Sequence, residues 1–192
     1  MGKVIYIVLT ETGSILSRAI QLYTQENFNH VSIAFDRNLT EMYSFGRKFE
    51  NNPFIGGFVQ ENIHSKLLRS ANCAIYECNV TDEQYELLQQ KIQFFKQHMD
   101  KFRYNFIGLI GVACRIKLER EWAFFCSQFI ATLLKDAGFN LDGLCPYFMK
   151  PTDLGKLPYM HLCYKGELSR YVFIPRSKPM HNIPIASISK VI

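Results

Sequence analysis

The stretch HVSIAFD, His30 to Asp36, alternates without a break. Successive strand side chains point to opposite faces, so Val31, Ile33 and Phe35 share one side and His30, Ser32 and Ala34 the other. The pattern predicts a strand with one apolar face, which needs other elements packed against it. Asp36 to Asn38 supplies a turn, and LTEMYSF (Leu39 to Phe45) reads as the returning strand of a β-hairpin. KVIYIVLT (Lys3 to Thr10) is rich in β-branched residues and predicts a buried strand, and CAIYEC (Cys73 to Cys78) predicts another.

Helical signals interrupt these strands. Gly13 and Ser14 open a pattern with Ile15, Leu16, Ala19, Ile20 and Tyr23 on one stripe. TDEQ (Thr81 to Gln84) is a capping-box signature, and the helix behind it runs to about His98 with Leu88, Ile92 and Phe95 facing inward. Tyr104 to Ile116 reads as helical or mixed. WAFFCSQFIATLLKDAG (Trp122 to Gly138) predicts a helix ending at Gly138, with Lys135 in its last turn. Arg47 to Ile63 carries Pro53, Gly56, Gly57 and three asparagines and reads as a long loop. The tail is loop-rich, with CPYFMKPTDL and a late strand, SRYVFIP. Mixed elements without regular alternation predict an α+β fold, an antiparallel sheet with helices packed against it. No internal repeat or low-complexity segment divides the 192 residues, so 1–192 reads as a single domain.

Composition narrows the function classes. Hydrophobic residues at 48% and charged residues at 20% mark a globular chain. The net charge of +5 is spread over scattered Lys and Arg, with no arginine-aromatic layout of the kind that grips nucleic acid, so no nucleic-acid partner is expected. The excess is compatible with weak attraction to anionic membranes. No apolar run approaches the roughly 20 residues that span a bilayer; the longest is FIGLIGVAC, Phe106 to Cys114. The short apolar run near the N-terminus lacks a signal-peptide cleavage site, and the expectation is a cytoplasmic protein. The six cysteines form no C-x-x-C pair, and there is no His-x-x-x-His, so a structural zinc site is not expected.

Cys126 stands apart from the other thiols. With Phe129, Ile130, Leu133, Leu134 and Ala137 it forms the inward stripe of its helix, which alone reads as packing. Two details argue for a nucleophile. Ala123, Phe124 and Phe125 offer no side chain to cap the helix, so a thiolate in the first turn has the orphan N–H groups and the helix dipole to lower its pKa. Ser127 and Gln128 place polar groups beside the thiol, as expected at the mouth of a site. A cysteine nucleophile needs a base. His64, His98, His161 and His181 fall in loops or at a helix end, whereas His30 begins an alternating strand beside the small residues Ser32 and Ala34. Across the hairpin, Glu41 is the candidate to orient the imidazole, and Ser44, of opposite parity, suits another register.

The order His, acid, then Cys at a helix N-terminus looks like a circular permutation of the papain order, in which the Cys helix comes first. Together with TETGSILSRAIQLYT, NHVSIAFD, MYSFGRK, NPFIGGFVQE, FFCSQFIATLL and KPTDL, it resembles the YiiX/YebB-like branch of the NlpC-type cysteine peptidases, over about residues 6 to 155. Lecithin:retinol acyltransferase-like proteins share the permuted layout, but Met42 stands where they usually carry a second histidine. The resemblance implies a circularly permuted papain-like fold, an antiparallel sheet or barrel packed against helices. It implies Cys126 as nucleophile, His30 as base and Glu41 as its orienter. The oxyanion donors would be the Cys126 backbone N–H and the Tyr104 hydroxyl. The resemblance implies no metal or other cofactor. The substrates it implies are a peptide, a peptide-like cell-wall fragment or a lipid-like acyl group.

Overall fold

The computed structural model describes residues 2–12, 27–49 and 52–171. Its centre is a six-stranded, wholly antiparallel sheet, in the order β4-β3-β2-β1-β5-β8. The strands are β1 (Lys3–Glu11), β2 (His30–Ala34), β3 (Met42–Phe49), β4 (Asn52–Gln60), β5 (Asn72–Val80) and β8 (His161–Glu167). Two-residue strands β6 (Arg103–Tyr104) and β7 (Ala123–Phe124) pair in parallel beside it. The described helices are α1 (Lys66–Arg69), α2 (Asp82–Gln97), α3 (Phe106–Ala113), α4 (Cys126–Asp136), α5 (Pro151–Gly155) and α6 (Leu168–Tyr171). The architecture is α+β.

Strand alternation builds two apolar layers. Ile5, Ile7, Leu9, Val31, Ile33, Tyr43, Phe45 and Phe58 point to the side where α2 and α4 lie, and Phe95, Phe102, Phe124 and Phe129 close that core with tightly spaced rings. Val8, Ala34, Met42, Cys73 and Ile75 point to the other side, against Leu68 of α1 and Leu168 and Tyr171 of α6. Helix α2 begins with the capping box read from TDEQ: the Thr81 hydroxyl accepts the Gln84 N–H, and the Gln84 side chain accepts the Thr81 N–H. Helix α4 ends at Asp136 with Ala137 as its C-cap, followed by Gly138 at φ +83°, a conformation that favours glycine.

Two expectations are corrected here. Arg47 to Ile63 is not a long loop. Most of it is the end of β3 and the edge strand β4, where Pro53 is tolerated because an edge need not donate on its outer side. Gly56 and Gly57 serve close approach: a Cβ on Gly56 would lie 2.7 Å from Tyr104 Cβ, and one on Gly57 would lie 2.5 Å from the Phe102 carbonyl oxygen. The tail also differs. His161–Glu167 forms β8, and Leu168–Tyr171 is helical where a strand was expected to start; the rest of SRYVFIP lies outside the described residues. The helical stripe from Ile15 to Tyr23 lies outside them too.

Candidate active site

Cys126 opens α4, and Phe125 before it makes no side-chain cap bond. The thiol takes up part of that vacancy, accepting the backbone N–H groups of Ser127 and Val31. Helix α4 packs across β2 and β3, which brings its tip to the end of β2, where His30 is the first residue. Asn29 fixes that end: its side chain accepts the backbone N–H (3.1 Å) and hydroxyl (2.8 Å) of Thr12 and donates to the Thr12 carbonyl (3.2 Å).

His30 is hydrogen-bonded on two sides, to the Cys126 thiol and to a carboxylate. That carboxylate belongs to Glu61: Oε1 lies 2.8 Å from His30 Nε2 and also accepts the Ser44 hydroxyl at 2.5 Å. With Nε2 taken by Glu61, Nδ1 is the ring nitrogen left for the thiol. Glu61 follows β4 directly, its N–H donating to the Met42 carbonyl at 2.8 Å, and strand parity puts its side chain on the face of Ser44 and Ser32. Gly46 completes this face. A Cβ there would lie 3.3 to 3.5 Å from Ser44 Oγ, Glu61 Oε1 and His30 Cε1.

Glu41 does not reach the site. It is exposed in the turn between β2 and β3, its N–H donating to Asp36 Oδ2 at 2.7 Å and its carbonyl accepting from Phe35. The hairpin connection is longer than expected, because β3 begins at Met42, and Glu41 is held in the connection itself. Glu61 stands in the position expected of Glu41, and Ser44 bonds Glu61 rather than the imidazole. His64 and His161 are exposed, His98 caps α2 through its own ring, and His181 lies outside the described residues.

Tyr104 does converge on the site. Its hydroxyl bonds the Cys126 thiol and accepts the Cys126 backbone N–H. Ser127 and Gln128 were expected at a site mouth but are buried, and Gln128 Oε1 has no hydrogen-bond partner among the described residues. Cys126 as a whole residue is only 3% exposed.

The electrostatics separate this thiol from three other cysteines, Cys73, Cys78 and Cys163. Burial pushes Cys73 and Cys163 up to about 12 and Cys78 up to about 11. For Cys126 burial acts in the same sense, but the His30 hydrogen bond and charge and the two backbone N–H groups outweigh it, and the pKa falls below the ordinary value. Burial would by itself lower His30; its bonds to Cys126 and Glu61 and their negative charge reverse this and raise it to about 10. Burial would raise Glu61, yet the His30 bond and charge, the Ser44 bond and the Arg47 charge hold it below the ordinary carboxylate value. All three directions favour a thiolate–imidazolium pair backed by a carboxylate. Among the described residues no group of three or more His, Cys, Asp or Glu side chains is placed to hold a metal ion.

No protein-family model matches the chain, and no match was found among curated proteins.

Proposed function

We propose that this protein is a cysteine hydrolase of circularly permuted papain-like fold that cleaves an amide bond in a peptide or peptide-like cell-wall fragment, in the cytoplasm. One observation carries the proposal: the imidazole of His30 lies between the thiol at a helix tip and the Glu61 carboxylate, both side chains being only 13% exposed. The Cys126 thiolate attacks the carbonyl carbon and forms the C–S bond, while the carbonyl π electrons move to oxygen. The Cys126 N–H and the Tyr104 hydroxyl then serve that oxyanion, once each gives up its present bond to the other. Collapse breaks the C–N bond, and the His30 imidazolium gives its proton to the leaving nitrogen. Water then gives a proton to His30 and attacks the thioester carbonyl, forming the C–O bond; collapse breaks the C–S bond, its electron pair returns to Cys126, and the acid leaves with the thiolate–imidazolium pair restored. Glu61 holds the imidazole in line throughout and stabilises its charged form.

A second reading, acyl transfer or hydrolysis on a lipid-like substrate, uses the same thioester. It is favoured by the apolar, exposed helix α3, which starts two residues after Tyr104. The test is to offer the protein peptide-like amides and acyl lipids in parallel, measuring turnover and the mass of acylated Cys126. Amide turnover that disappears with Cys126→Ala supports the proposal. Turnover of acyl lipids alone selects the second reading. Neither turnover nor acylation leaves a non-catalytic binding module.

A further inference from the structure

We infer that the apolar surface built on α3 and the segment after it docks the protein on an anionic lipid surface. Helix α3, FIGLIGVA, contains no charged residue, and its outward side exposes Ile107 at 49% and Ile110 at 64%. The chain then turns back and exposes Ile116 at 55%. Isolated exposed leucines or isoleucines are ordinary; a group of them on one short element marks an interaction surface.

This surface is built rigidly. The buried Asn105 caps α3, accepting the Gly108 N–H at 2.9 Å, and donates to the Leu118 carbonyl at 3.1 Å. The buried Tyr147 hydroxyl donates to the Gly108 carbonyl and accepts the Leu118 N–H, each at 2.9 Å. A Cβ on Gly111 would lie 2.6 Å from the Ile116 carbonyl oxygen, so the returning segment lies directly on the helix. The inner side of α3 is thus committed to buried polar bonds and close packing, and the isoleucines are held outward.

The charge around it selects the occupant. From Asp100 to Glu121 the sequence carries five bases (Lys101, Arg103, Arg115, Lys117 and Arg120) against three acids (Asp100, Glu119 and Glu121), a net charge of +2, and no acid lies between Lys101 and Leu118. Arg115 and Lys117 are exposed and alternate with the apolar Ile116 and Leu118. Lys117 pairs with Glu119 at 3.0 Å, a half-exposed contact that competes weakly with a charged surface. An acid-free apolar helix flanked by bases is the composition of an element that lies in a lipid interface, its apolar side among the acyl chains and its bases at anionic headgroups. The inference goes beyond the hydrolase reading and does not depend on it.

The test is co-sedimentation of the full chain with vesicles of phosphatidylcholine alone and of phosphatidylcholine with phosphatidylserine, at low and high salt. The expected result is binding to the phosphatidylserine vesicles that weakens with salt. Ile107→Ser with Ile110→Ser lowers that partitioning at least about tenfold. Arg115→Gln with Lys117→Gln lowers it by about fivefold per removed charge. Both double variants keep the wild-type thermal midpoint, because they alter exposed side chains. Cys126→Ala binds as wild type does, so failure of the thiol chemistry is separately visible. No binding to either vesicle overturns the inference, as does unchanged binding of the isoleucine variant. So does a dimer in sedimentation velocity that this variant dissolves, since the face would then belong to a second copy.

Discussion

Replacing Glu61 by glutamine keeps the size of the side chain and removes one negative charge from the imidazole. In the wild type, His30 is raised to about 10 by its bonds to Cys126 and Glu61, against the downward pull of burial. The substitution leaves the burial intact and takes away part of what opposes it, so the sign is downward. A hydrogen bond to a charged partner contributes about 1.5–3 kcal/mol, and about 1.36 kcal/mol corresponds to one pH unit. The His30 titration in Glu61→Gln is therefore expected to move down by about 1 to 2 pH units. The assay is an NMR titration of the imidazole Cε1–H signals, with His30 assigned by its loss in His30→Ala. The same variant lowers the thiolate fraction of Cys126 near neutral pH, because the imidazolium that stabilises it is weaker. Glu41→Gln is the internal control and leaves the His30 titration where it was. A His30 titration that is unchanged in Glu61→Gln, or displaced in Glu41→Gln, refutes the reasoning.

Three further outcomes follow from the same geometry. Gly46→Val places branched carbons among Ser44, Glu61 and His30, which already lie 3.3 to 3.5 Å from a bare Cβ, and is expected to cost about 1–3 kcal/mol in denaturant unfolding while slowing Cys126 alkylation. Gly56→Ala drives a methyl to 2.7 Å from Tyr104 Cβ, so it is expected to reproduce the turnover defect of Tyr104→Phe without touching the thiol; full turnover of the expected substrate class in Gly56→Ala, beside a defective Tyr104→Phe, counts against this. Glu61 is held below its ordinary value of 4.5, so its contribution to stability is present above that pH and is lost as pH falls through the lower folded value. Glu61→Gln is accordingly expected to show a shallower loss of stability on the acid side than wild type, measured by urea unfolding across that range.

The parts legible in the sequence were those set by local periodicity. The alternation of HVSIAFD announced a two-faced strand, TDEQ its capping box, and the uncapped FFCSQF a helix whose first donors were open to the thiol. The carboxylate was not legible, for two physical reasons. Glycines and a proline in NPFIGGFVQE suggest a loop when read alone, although Gly56 and Gly57 are there to admit Tyr104 and Phe102. The β3–β4 register also shifts at a bulge between Arg47 and Phe49, so counting outward from the turn does not place Glu61 beside Ser44. The signal that was present is the parity of Val59 and Glu61 on a strand paired with Ser44, usable only once β4 is recognised as a strand. Glu41 failed because a glutamate three residues before Ser44 lies in the connection, where Asp36 collects its N–H.

The central claim is that Cys126 is a thiolate nucleophile made so by His30. The direct measurement is the rate of alkylation at each cysteine against pH, resolved by peptide mass spectrometry, in wild type, Cys126→Ala and His30→Ala. Site resolution matters because Cys114 and Cys145 are exposed and also react. The account predicts that Cys126, though almost fully covered, titrates well below the ordinary thiol value of about 8.5, and that its reactivity near neutral pH falls sharply in His30→Ala. A Cys126 that titrates like Cys73 and Cys78, or that reacts equally in His30→Ala, contradicts it.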